Sequence, residues 1–586
     1  MIALAERAQD AAAGLALRPP EAIMTPEGLS AFKASRLSFL RAVVGRMARE
    51  RWRIETSRFE LDAEGRGLAV YRIETPERLL SFVVFSDKLP EERRTDRIVE
   101  NHYDGEAFLC LGEPSGEQIA RQRPQFADFL LGRADIKTLG WTRVNRSSRV
   151  FNRMVEALAA GRQPDPELVE SAGYLVRNNG FWGSGRHGTA VMAAFDPSEF
   201  IGRPYHIDLL TLYLWRHFSH DLVEHVARCR NPAAATLAMP IKRYIGVGNA
   251  SGLGLVPFVI RHPRRINGWI EAHETAIARI RAQPAEAADP AALAALLERA
   301  IQYYREGVQV RGGIFQSSAE LLADLERLRP GLAALRDRGT VDGAASDRPW
   351  AALCDWADGA VGREALELLH SLLIEAMPEI ATALQDSVLA IQETASDVQP
   401  EQRVGELLAL VRRHYDWALA IDRGAAGARQ HFWYLSEDNL EPRLGERGVD
   451  PGEAYETYVD VVGDIQALAA DLAEAPAGQS LAAFLFERPQ HRAVVERVQS
   501  VDPLPYGEVR ANVLSDDFEP CHLIRFLLTQ YGMEKLDPQS RLWVRGTFLQ
   551  GAPLTEDIAA GREGDWIFPL LPREAWTAAG NETDQS

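Results

Sequence analysis

The sequence predicts a multidomain α+β protein, predominantly α-helical, with a small N-terminal antiparallel β-sheet and a mixed C-terminal segment. Three observations predict it. Apolar residues alternate with period two through much of 53–112, whereas alanine, leucine, glutamate and arginine recur at helical spacing across 291–425. The chain's 586 residues also exceed the roughly 250–300 that one hydrophobic core organises.

Taken in order, residues 1–50 read as helical, most clearly over MTPEGLSAFKASRLSFLRAVVGRM, where Thr25 opens a helix with Pro26 in its first turn. Segments 53–62, 66–75 and 79–87 then read as strands, with Ala63, Glu64 and Gly65 as a turn and 105–112 joining the same sheet. This gives a first domain over 1–135. Residues 136–282 read as helices broken by glycine-rich loops and form the second. An alanine- and proline-rich linker leads into the third, a helical domain over 283–425 with a break at 337–349. Further helices are expected over 405–421 and 450–475. The last domain, 426–586, is mixed, with a strand over RLWVRGTFLQ at 541–550 and a frayed tail.

Composition removes several function classes. A formal charge of −18 repels the phosphate backbone and anionic membrane surfaces, so neither nucleic acid nor membrane is an expected partner. No apolar run approaches the ~20 residues a membrane helix needs. The four cysteines, Cys110, Cys229, Cys354 and Cys521, show neither CxxC nor zinc-finger spacing, and the N-terminus lacks the apolar stretch of a signal peptide. A cytoplasmic location is the expectation. There are only five lysines, which narrows any Schiff-base mechanism to Lys33, Lys88, Lys137, Lys242 and Lys535.

The candidate chemistry lies in 136–275. Residues 183–188, GSGRHG, formally match GxGxxG, but Pro197 interrupts the helix that should follow and Asp208 opens a helix rather than closing a strand. A dinucleotide site is therefore set aside in favour of a loop that approaches a ligand, flanked by Asn178, Arg186 and His187. The second loop, GVGNASGLGLVPF at 246–258, brings glycines around Asn249 and Ser251; it has neither a Walker A ending nor the GxSxG spacing.

Between the loops runs a helix over 208–231. Its His217, Asp221 and His225 stand at i, i+4 and i+8, a spacing at which imidazole and carboxylate can share a divalent metal such as iron, manganese or zinc. Seven of the 13 histidines fall between His187 and His273. Finally, LGWTRVNRSSRVFNRMVEAL at 139–158 puts Arg143, Arg146, Arg149 and Arg153 on one helical arc, suited to salt bridges or to an anionic substrate.

The expected function is an enzyme for a small anionic metabolite. His187, His217, Asp221 and His225 would serve as acid–base groups, the last three also as metal ligands. Arg143, Arg146, Asn178, Arg186, Asn249 and Ser251 would bind substrate. Metal-assisted oxidation or lysis is favoured over hydrolysis, and a homo-oligomer is expected. The alternative is a non-catalytic assembly protein whose His/Arg stripes form intersubunit salt bridges.

Overall fold

Six strands from the first third of the chain and three from later segments build one large sheet, and helices pack around it. The computed structural model describes residues 16–90, 103–122, 138–178, 199–200, 206–252, 255–307, 318–338, 347–391, 398–422, 431–435, 442–446, 460–513, 518–533 and 536–574. The sheet contains β1 (Arg53–Leu61), β2 (Gly67–Glu74), β3 (Leu79–Ser86), β4 (Gly105–Leu111), β5 (Thr138–Arg146), β6 (Tyr174–Asn178), β7 (Gly246–Gly252), β10 (Leu536–Ser540) and β11 (Trp543–Phe548). Their spatial order is β1-β2-β3-β4-β5-β6-β7-β11-β10. Every neighbouring pair is antiparallel except β6 and β7, which run parallel. The remaining strands, β8 (His431–Leu435) and β9 (Pro442–Glu446), pair only with each other.

The α+β class with helix predominant and an N-terminal sheet agrees with the sequence reading, and the four expected strands between 53 and 112 all form. The strand expected at 541–550 is β11, and with β10 it completes this same sheet by pairing along β7.

Among the described residues, twelve helices reach ten residues: α1 (Phe39–Arg49), α2 (His206–Arg230), α3 (Pro263–Arg281), α4 (Pro290–Gly307), α5 (Ser318–Arg338), α6 (Pro349–Ala360), α7 (Arg363–Ala376), α8 (Pro378–Leu389), α9 (Val404–His414), α10 (Val461–Glu474), α11 (Arg492–Val501) and α12 (Pro520–Tyr531). The long helix expected over 24–47 divides in two. Its first part, Pro26–Ala31, opens as predicted, with the Thr25 hydroxyl capping the Gly28 amide at 3.1 Å. It ends because the Ser38 hydroxyl accepts the Ser35 amide at 3.1 Å and donates to the Thr529 carbonyl at 3.0 Å, which draws the backbone out of the helix.

Two other readings need correction. Residues 139–158 are not one helix: β5 carries Arg143 and Arg146, and a separate helix, Phe151–Ala159, carries Arg153. The arginine arc therefore does not exist. Similarly, 246–252 is not a loop but the strand β7. Its glycines answer a packing demand, since a Cβ on Gly246 would stand 2.1 Å from the Phe548 carbonyl oxygen and one on Gly248 2.7 Å from the Tyr174 ring.

Both sheet faces are buried, which is why β3 reads LLSFVVFS without alternation. Leu80, Phe82 and Val84 join the main core under α2, whereas Val83 and Phe85 form a second core with Val70, Phe108, Cys110, Trp141 and Ile119. The main core extends from Ile23 to Phe568 and takes in the helical region as well as the sheet.

Candidate functional site

The residues singled out in the sequence fall into three places. Asn178, Asn249 and Ser251 do come together, at the carboxyl ends of the parallel strands β6 and β7. There the Asn178 amide donates to Thr142 Oγ1 at 3.0 Å, Trp215 Nε1 donates to the same hydroxyl at 3.1 Å, and Asn249 Nδ2 donates to the Asn178 carbonyl at 3.5 Å. The Ser251 hydroxyl donates to Asn249 Oδ1. All four polar residues of this chain are buried, and they spend their hydrogen bonds tying β5, β6 and β7 to one another and to α2.

His217, Asp221 and His225 lie along the least buried line of α2, at the expected spacing. Their partners belong to the β1–β2 hairpin. Tyr71 donates its hydroxyl to Asp221 at 2.8 Å and packs its ring against His217, whose Nε2 stands 3.7 Å from the Asp221 carboxylate. His225 meets the Asp62 carbonyl at 3.0 Å and the ring of Phe59. Among the described residues, no three histidine, cysteine or carboxylate side chains converge where a metal could sit. His220, on the same helix, is buried: α2 is packed on nearly every side, and burial together with the Arg216 charge pushes its imidazole well below the ordinary value.

Arg143 lies over the Tyr103 ring, 4.2 Å from its centroid, and 3.6 Å from Glu106. Arg146 is buried and donates to the carbonyls of Glu64, Gly65 and Asp87 at 2.8–3.0 Å, clamping the β1–β2 turn to β5. Arg186 and His187 lie outside the described residues.

A denser constellation lies elsewhere, where α3 and α7 cross beneath the N-terminal segment. Arg18 reaches into it and forks between two carboxylates. It donates to Glu274 of α3 at 2.9 and 2.6 Å, and to Glu367 of α7 at 2.5 and 3.2 Å. Each carboxylate also meets a histidine: His273 Nδ1 is 3.3 Å from Glu274, and His370 Nδ1 is 3.3 Å from Glu367. The two imidazole rings stand edge to face with centroids 6.4 Å apart. One turn earlier on α7, Glu364 receives both Arg525 of α12, at 3.0 and 2.6 Å, and Lys33 Nζ at 2.5 Å.

The electrostatics follow from burial and neighbours. Burial would raise the Glu367 carboxyl, but the Arg18 charge and the His370 hydrogen bond outweigh it and hold the group well below the carboxylate range. Glu274 behaves alike: burial pushes it up, and Arg18 and His273 hold it down at about 2. Glu364 is held at about 2 by Arg525 and Lys33 against its own burial. Burial and the Arg525 charge lower Lys33 to about 8, while burial lowers His370 against the pull of Glu367.

This network floors a cleft of about 280 Å³. Glu367 and Arg18 form its polar wall, Ala22, Ile23, Val361 and Leu366 an apolar one, and Arg363 and Asp358 its rim. Neither rim charge has an ion-pair partner among the described residues. Gly28 completes the lining, and a methyl there would stand 2.5 Å from the Ile23 carbonyl oxygen and 3.1 Å from Arg363 Nη1. Sequence reading missed this site because its members are scattered from Arg18 to Arg525. The available signal was the spacing Glu364, Glu367, His370, Ser371 and Glu375 on α7, which in sequence reads as an ordinary solvated face.

Comparison with family models, curated proteins and solved structures finds no match to this chain.

Proposed function

We propose that the protein is an enzyme for a small carboxylate-bearing metabolite, bound in the cleft above Arg18 and Glu367. One observation carries the reading. A cleft at the small end of ligand-pocket sizes, about 280 Å³, sits on a buried acid–base network that packing alone does not require. Buried ion pairs are commonly no better for stability than apolar residues of the same volume, so a network of this density points toward chemistry.

The arrangement suggests how substrate arms it. While Arg18 holds it, Glu367 is a poor base, because the guanidinium stabilises its charge. A substrate carboxylate that engages the Arg18 guanidinium competes with Glu367 for the same donors. Relieved of Arg18, the buried Glu367 carboxylate gains basicity and accepts a proton from the substrate. His370, in contact through Nδ1, holds the same carboxylate in place and can relay the proton that it accepts. Arg363 supplies a second guanidinium at the rim.

The test is equilibrium dialysis of the purified protein against a mixture of small organic acids, with the retained compounds identified by mass spectrometry. The expected result is retention of one or more carboxylates by the wild type, weakened about tenfold or more in Arg363→Ala. Equal retention by both proteins, or none by either, would remove the cleft as the site.

A further inference from the structure

The charges around the cleft narrow its ligand further. Four charged residues line it: Arg18, Glu367, Arg363 and Asp358. The first two are paired within hydrogen-bonding distance, Arg18 serving Glu274 beneath the cleft as well. What is left unpaired among the described residues is one guanidinium, Arg363, and one carboxylate, Asp358, on the rim of the same cavity. A simple organic acid would satisfy the guanidinium and leave the carboxylate facing an apolar or like-charged group. An amine alone would do the reverse. A zwitterion satisfies both. The remaining lining, Ala22, Ile23, Val361 and Leu366, is aliphatic and offers no further hydrogen-bonding side chain.

We propose that the cleft selects a small zwitterionic α-amino acid with an aliphatic side chain, holding its carboxylate at Arg363 and its ammonium at Asp358. This rests on the cleft being the substrate site and adds the chemical class of the substrate. The guanidinium fork suits a carboxylate because two parallel N–H donors meet two oxygens. The ammonium at Asp358 lies within the same cavity as Glu367, whose carboxylate adds to the negative side of the cleft. The size agrees as well: about 280 Å³ admits an amino acid with a short side chain. Gly28 keeps this wall of the cleft open, since any side chain there meets the Ile23 carbonyl and the Arg363 guanidinium.

The experiment is isothermal titration calorimetry of the full chain with matched probes. Alanine, valine and leucine in the L form are each compared with the corresponding carboxylate lacking the amino group and the corresponding amine lacking the carboxylate. Wild type is expected to bind at least one amino acid about tenfold tighter than either of its truncated partners. Asp358→Asn is expected to bring that amino acid level with its desamino carboxylate, and Arg363→Ala to weaken both. Both residues lie at the rim without ion-pair partners among the described residues, so these variants are expected to fold, which circular dichroism checks. If the desamino carboxylates bind as tightly as the amino acids, zwitterion selection is overturned while the cleft remains a carboxylate site. If no probe containing a carboxylate binds wild type, the reading of the cleft itself falls and the selectivity falls with it.

Discussion

Removing the Arg18 side chain leaves Glu274 and Glu367 buried at 2% and 3% exposure, without the cation that both share. Breaking a buried ion pair from one side costs about 3–5 kcal/mol, because the surviving charge stays desolvated. Arg18→Ala is therefore expected to lower stability by that order in chemical denaturation. Adding Glu367→Gln is expected to recover part of the loss, which a mere packing role for Arg18 would not allow. Acid exposes the same network. Glu274 and Glu364 are held near 2 in the fold against an ordinary 4.5, so the unfolded chain binds more protons between those values. Their contribution is complete above about pH 4.5 and is lost as pH falls toward 2, roughly 3 kcal/mol apiece before coupling. Denaturation curves across that window check the sign: the Arg18→Ala protein should show a shallower acid loss than wild type. None of these partners could be read from the sequence, because Arg18 lies 256 residues from Glu274 and 349 from Glu367. The α2 trio shows the opposite case. Its i, i+4, i+8 alignment was legible, but its partners, Tyr71, Asp62 and Phe59, come from a hairpin more than 140 residues earlier, and they make it a seam.

Elements were more legible than sites, and the failures have physical causes. Strands β1 to β4 announce themselves by pattern and by the Gly65 turn, whose φ of 77° favours glycine. Strand β5 was masked by arginines three residues apart, a helical spacing that in WTRVNR is fulfilled by a strand with Arg143 against Tyr103 and Arg146 against backbone carbonyls. Strand β7 was hidden by glycines that normally signal loops. They are required where β7 is pressed between β6 and β11, so Gly246→Ala is expected to cost about 3 kcal/mol or more, since the clash is with the backbone at Phe548 rather than a movable side chain. Thermal denaturation of this variant, beside an alanine substitution at exposed Gly359, whose Cβ site is open, separates the packing demand from general glycine effects. At the β1–β2 seam, Tyr71→Phe is expected to cost about 1–3 kcal/mol through the lost bond to Asp221, with binding to the cleft unchanged.

The whole molecule depends on the last 50 residues for its sheet. β11 covers β7, and Tyr213 and Arg216 of α2 donate to the carbonyls of Ala552 and Pro553 just beyond it. A chain ending before β10 is expected to be insoluble or protease-sensitive, because it exposes a central strand as an edge. The proposed site is likewise assembled from distant segments, Arg18, α3, α6 and α7. Two locations compete for the function: the 136–275 region that sequence reading favoured, whose Asn178, Asn249 and Ser251 gather at the ends of β6 and β7, and the cleft above Glu367. Hydrogen–deuterium exchange of the full protein with and without a saturating retained ligand separates them most directly. A ligand in the cleft is expected to bring new protection to peptides covering 18–28 and 358–370, and none at 142, 178 and 249–251. Protection confined to the strand ends, with 18–28 and 358–370 unchanged, would contradict it.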